Sequence, residues 1–251
     1  LGNRDFALGC VLSFLTGVGV FGSVYLMPVF LAFVRDMGPI AIGNIMIVMG
    51  VAQLLVAPIV VALERRADAR YIAAFGLVLF TVGCWMSTSQ TRESGYDDMF
   101  WPQILRGSAM LFSILPVIRL SVGHLPPARV PDASGLFNMQ RNLGGAIGIA
   151  LIDTVIYSRA PDYGREIAAR LQAGDATAAA EVGLPTAMFT GQPMPEASEM
   201  MRELVRPLIE KAALVHATND AWMLVALIVA SGLLLIPFFR KPGTPMATGG
   251  H

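Results

Sequence analysis

The sequence predicts an all-α membrane protein: six transmembrane helices in one bundle, with a long polar insertion before the last helix. Three observations predict it. Of 251 residues, 55% are hydrophobic and only 14% charged, whereas a soluble domain carries about 25% charged residues. Apolar segments long enough to cross about 30 Å of hydrocarbon recur along the chain. Five of them follow one another through short connections, and the sixth stands apart after the polar stretch Ser158 to Asp220.

The first span runs from Phe6 to Phe33, with a kink expected at Pro28, and the turn Arg35 to Pro39 ends it. A second covers Ile40 to Leu63 and carries Asn44 and Gln53, amides suited either to a substrate path or to bonding a neighbouring helix. After the basic loop Glu64 to Arg70, a third covers Tyr71 to Thr88 and a fourth Phe100 to Gly123, the latter holding Arg106, Pro116 and Arg119. The proline-rich turn HLPPARVPDAS follows, with Asp132 expected to cap the next helix. Short connections predict a bundle packed in sequence order. Within the insertion, Met200, Met201, Leu204, Val205, Leu208, Ile209 and Ala212 repeat at helical spacing opposite Arg202, Glu203, Arg206 and Glu210, and Pro207 predicts a bend. This amphipathic helix suits the membrane surface, a partner, or an outward extension of the sixth span, Ala221 to Phe239. Gln172 to Pro195 is expected to be loosely ordered.

The fifth span, SGLFNMQRNLGGAIGIALIDTVIY from Ser134 to Tyr157, mixes an arginine, two asparagines and an aspartate with apolar residues. Polar groups at membrane depth mark a bundle interior or a wet cavity. Ser134, Asn138, Arg141, Asn142, Gly145, Ile149 and Asp153 share about one third of the helix circumference. The pattern therefore predicts a polar face turned inward, with Gly145 within it and Gly144 and Gly148 on the adjacent strip, where small residues allow a neighbouring helix to come close.

Asp153 is the sole acid among the charges well inside the spans. An antiparallel hairpin of the fourth and fifth spans brings Arg106 level with it and Arg119 level with Arg141. Three readings of Asp153 stand: a static ion pair with Arg106, a protonatable coupling carboxylate, or a group solvated near the boundary. Arg141 either snorkels to water or faces a substrate path, and Arg119 should turn away from it.

Other classes of function are disfavoured. Net charge is zero, without a polybasic run, so no nucleic-acid partner is expected. His124, His216 and His251 lack metal-ligand spacing, no phosphate-cradling loop occurs, and no constellation for bond-making chemistry is present. No cofactor, metal or catalytic residue is assigned, and the chain is not expected to be an enzyme. Cys10 and Cys84 lie in apolar segments and read as buried thiols. The chain opens at Leu1 without a signal peptide and reads as cut from something longer.

The runs DFALGC, WPQILRG and HLPPARVPDASGLFNMQRNLGGAIG, in this order, resemble the C-terminal half of the major facilitator superfamily's fourteen-helix drug/proton antiporters. The resemblance spans nearly the whole chain. It implies the last six of fourteen helices, an N-terminal half as partner, export of small amphipathic compounds in exchange for protons, and work alongside a periplasmic adaptor and an outer-membrane channel. The family's antiporter motif and first-helix acid would lie in the N-terminal half. Arg141 matches the family pattern, whereas Arg106, Arg119 and Asp153 look particular to this protein or its near relatives. The basic loop is similar to a degraded copy of the family's loop motif, keeping Asp68 and Arg70 without the glycines.

The expected organisation is spans one to five over 1–157, a periplasmic insertion over 158–220, the last span over 221–239 and a cytoplasmic tail over 240–251. Arg4, Arg65, Arg66, Arg70, Arg129, Arg240 and Lys241 gather on one side against Arg35 and Arg92 on the other, which predicts both ends in the cytoplasm; the resemblance implies that the membrane is a bacterial inner one. The rival reading is a stand-alone six-helix scaffold, or a self-associating half-transporter without drug export.

Overall fold

Hydropathy this high, with polar residues concentrated at segment ends, leaves the helix as the way to satisfy the backbone within each segment. The computed structural model describes residues 4–122, 129–189 and 199–239, and among them there is no strand. Helix α1 spans Arg4–Phe33, α2 Pro39–Glu64, α3 Ala69–Met86 and α4 Tyr96–Val122. Then come α5 over Val130–Gln172, the short α6 over Ala176–Val182, and α7 over Glu199–Ser231, prolonged by 3₁₀ turns over Gly232–Phe238. All but α6 are long and apolar enough to cross a membrane, giving six candidate spans.

Local chemistry sets several boundaries. Pro39 opens α2, where its missing N–H costs nothing. Asp68 caps α3 by accepting from the Arg70 amide at 3.0 Å, so these two residues of the basic loop have a local structural role. The cap expected from Asp132 is not formed: α5 starts earlier, after Arg129, with Pro131 in its first turn and Asp132 one position further in. There the carboxylate faces the positive end of the helix dipole instead. His124 and the two prolines after Leu125 fall outside the described residues, as do His251 and the basic pair after Phe239.

The bundle is not packed in sequence order. Helix α1 lies at the centre against α5, α7 and α4; α4 packs on α3 and α2, and α7 on α5 and α3. Consecutive helices α1 and α2, α2 and α3, and α4 and α5 scarcely touch. The reason is visible at the glycines. A Cβ on Gly17 would overlap the Arg141 carbonyl, and one on Gly144 the Phe14 carbonyl, so α1 and α5 meet backbone to backbone. Gly107 of α4 does the same against the Met49 carbonyl of α2. Lipid supplies no hydrophobic drive between helices, so close backbone approach decides which helices pair, and short loops do not.

At about 1.5 Å per residue, α5 is roughly 65 Å long and projects well beyond a bilayer. Its projecting part, α6 and the first half of α7 enclose a second core of Ile167, Leu171, Ala178, Ala179, Val182, Ala212 and Ala213. The segment expected to be loosely ordered thus contains a packed helix, held by Asp175 at its start and by Gly183, at φ 79°, at its end. The helix through Pro207 runs unbroken into the last span.

This small cap sits at the end of the bundle that carries the α1–α2 and α3–α4 connections. Lys211 pairs with Asp36, Arg92 donates to the Val182 carbonyl, and the Asn219 side chain bonds both the amide and the carbonyl of Gln90.

Candidate substrate and coupling site

The polar residues of α5 lie beside its packed seam rather than within it. Ala133, Phe137, Gly144, Gly145, Gly148, Ile152 and Ile156 are buried, whereas Asn138 and Asn142 are exposed and Arg141 and Asp153 half-buried. The inward-turned face expected from the sequence is therefore offset: the polar strip opens along one edge of the seam, with Met139, Leu143, Ile147 and Leu151 exposed further round. Gly144, Gly145 and Gly148 meet Phe14, Phe21 and Val18 of α1.

Arg141 donates to the Asn138 carboxamide at 2.9 Å, one turn away. That bond holds the guanidinium along the strip. Asp153, at the other end, accepts from the Tyr25 hydroxyl of α1 at 2.7 Å.

The ion pair between Arg106 and Asp153 is not formed. It required α4 and α5 to be neighbours, and α1 occupies that position against both. Arg106 is completely buried, with its guanidinium 4.3 Å from the centroid of the Trp222 ring and 3.1 Å from the Gln103 carboxamide oxygen. Its Nε and Nη1 find no hydrogen-bond acceptor among the described residues. A guanidinium over an indole face is favourable, yet among the described residues no carboxylate pairs with it there. Arg119 turns away from Arg141, as expected, and donates to the Glu64 carbonyl at the end of α2.

Asn44 and Gln53 on α2 stand apart from the α5 strip. Asn44 is exposed and Gln53 half-buried, and nine positions put them roughly 180° apart on the helix. They flank opposite sides of the α2 contact strip formed by Ile45, Val48, Met49 and Ala52. The structure thus joins Arg141 with Asn138 and leaves Arg106, Asn44 and Gln53 in separate places.

Three residues escaped the sequence reading: Tyr25, Gln103 and Trp222. Cys84, expected as a buried thiol, is buried beside Arg106. Gln103 carried a signal, three positions before an intramembrane arginine. Tyr25 carried a weaker one, a phenol within a long apolar run.

No family model matches the chain. Among curated proteins, it is 38% identical over 152 residues to the colistin resistance protein EmrB of Acinetobacter baumannii, a match covering 61% of this chain and 30% of that protein. Against the multidrug export protein EmrB of Escherichia coli it is 24% identical over 250 residues, 99% of this chain and 47% of the relative. The chain is similar to EmrB-type multidrug export proteins over nearly its whole length. An uncharacterized MFS-type transporter of Bacillus subtilis, YhcA, is 23% identical over 94% of the chain and 45% of its own length. The chain therefore spans half or less of the length of these relatives, two of which are named for colistin resistance or multidrug export.

Proposed function

We propose that this chain is the C-terminal half of a proton-coupled multidrug exporter of a bacterial inner membrane, working by alternating access against an N-terminal half. One observation carries the reading: a membrane-crossing helix, α5, presents Asn138, Arg141 and Asn142 on a surface that this bundle does not cover. Such groups do not face hydrocarbon without penalty, so a wet cavity or another polypeptide covers them. Helix α2 supports the same reading, since it packs mainly on α4 and leaves Ile47, Leu54, Leu55 and Ile59 exposed.

In this reading the cavity lies along the α5 strip. Arg141 and Asn138 contact small amphipathic substrates, and Asp153 exchanges its proton while Tyr25 positions the carboxylate. The work is translocation, with no bond made or broken in the substrate. Both chain ends lie in the cytoplasm, the cap in the periplasm, and the cap offers the surface for a periplasmic adaptor leading to an outer-membrane channel.

Thiol labelling tests the placement. In the complete transporter, Asn138→Cys and Asn142→Cys should react with a membrane-impermeant maleimide and be protected by substrate, whereas Ile147→Cys should not react. Both native cysteines are buried and give little background. Absence of reaction at both asparagine positions would show that the strip is dry and would contradict the cavity.

A further inference from the structure

A cavity of about 190 Å³ lies between the end of α3, the 87–95 connection and the start of α4. It is remote from the α5 strip and plays no part in the proposed transport. Its polar lining is Ser87, Ser89, Gln90, Thr91, Ser94 and Asp98.

The hydroxyls of this lining leave acceptors and almost no donors, so the Gln90 carboxamide nitrogen is the main side-chain donor that the lining offers. Ser87 donates to the Gly83 carbonyl at 3.2 Å and Ser89 to the Met86 carbonyl at 3.4 Å. Thr91 and Ser94 share one hydroxyl proton between them at 3.3 Å. Of the four hydroxyl protons, at most one is therefore left for a ligand. Gln90 is held by Asn219 through its own backbone, and its side-chain oxygen is buried with no donor among the described residues. Asp98 accepts from the Gly95 amide with one oxygen, leaving the other available. The nearby Arg92 guanidinium is engaged elsewhere, on the Val182 carbonyl.

An orphaned buried acceptor is costly unless a donor reaches it. The complement to one carboxylate, one amide oxygen and several hydroxyl lone pairs is a compact cation rich in donors. We propose that this cavity binds a primary ammonium group. Three N–H donors on one positive centre fit this lining, whereas a quaternary ammonium has the charge without the donors.

Two sources carry that chemistry, a lipid headgroup and a free amine. Exposed Trp85, Tyr96 and Trp101 surround this end of α3 and α4, as aromatic residues do at headgroup level, so a lipid can reach the cavity.

The test uses the complete transporter in nanodiscs of phosphatidylcholine, alone or mixed with phosphatidylethanolamine. The primary-ammonium lipid should raise the thermal midpoint by roughly 2–4 °C, and Asp98→Asn and Gln90→Leu should each remove that rise while keeping the wild-type midpoint in phosphatidylcholine alone. Asp98→Glu should retain it. Added methylamine, with tetramethylammonium as control, separates the sources: protection by methylamine in phosphatidylcholine supports a free-amine site, and protection by the lipid alone supports a headgroup site. Equal midpoints in both lipids with no effect of methylamine would overturn the proposal. So would a rise that survives in both Asp98→Asn and Gln90→Leu.

Discussion

Arg106 sits over Trp222, and among the described residues two of its guanidinium nitrogens lack acceptors and no carboxylate pairs with it. Replacing a buried charge by an apolar side chain of similar volume is often stabilising. Arg106→Met is therefore expected to raise stability by about 1–4 kcal/mol in detergent unfolding, and a loss of that size would show that an anion from outside the described residues neutralises the arginine. At Asp153 the expectation is functional. Asp153→Asn should flatten the pH dependence of transport, and Tyr25→Phe, which removes a hydrogen bond to a charged group worth about 1.5–3 kcal/mol, should move the midpoint of that pH profile while insertion is unchanged. A profile identical to wild type in both variants would remove Asp153 from coupling. Arg141→Gln should lower transport more than it lowers insertion. At this scale the sequence showed which groups were out of place in hydrocarbon but not what they touch. The Arg106 and Asp153 pairing failed because depth along a helix is readable from residue count, whereas the identity of the neighbouring helix is not.

Among the elements, the α1–α5 seam depends on close backbone approach. Gly144→Val places a branched side chain where the Phe14 carbonyl lies. Overpacking of this kind costs about 1–3 kcal/mol, and it should appear as a lower unfolding midpoint. The same change at Gly43, where nothing lies within 4 Å, should have little effect through packing. The spacing of Gly144 and Gly148 pointed to a close partner, but nothing in the sequence named α1 as that partner; Gly17, the reciprocal residue, was hidden among the other small residues of the first span.

The cap differs most from what its composition predicts. Alanine, glycine, threonine and proline between Gln172 and Pro195 suggest a loosely ordered segment, yet Ala178 and Ala179 are the small residues that let α6 fit against α5 and α7. Its start depends on Asp175, whose carboxyl is held well below the usual carboxylate range by the Thr177 hydroxyl and then by Arg170. Because the folded value lies below the unfolded one, this contribution is complete above the ordinary carboxylate pKa and is lost only as pH falls through the depressed value. Hydrogen exchange at 176–182 should therefore stay slow through mildly acidic pH. Asp175→Ala should speed it without altering exchange in α1 to α4.

For the whole molecule, the all-α membrane class and the positions of the spans were legible, because hydropathy and helix length follow from composition along the chain. The order of packing was not, since it depends on contacts between residues far apart in sequence. The open surface of α2 and the uncovered polar strip of α5 belong together at this scale, and both call for a second body. The most direct measurement is proton-dependent efflux of a fluorescent lipophilic cation from vesicles containing this chain joined to an N-terminal half, compared with this chain by itself. Efflux from the joined protein alone is the predicted result. Efflux of equal rate from the isolated chain, or none from the joined protein, would contradict the reading of this bundle as half of an exporter.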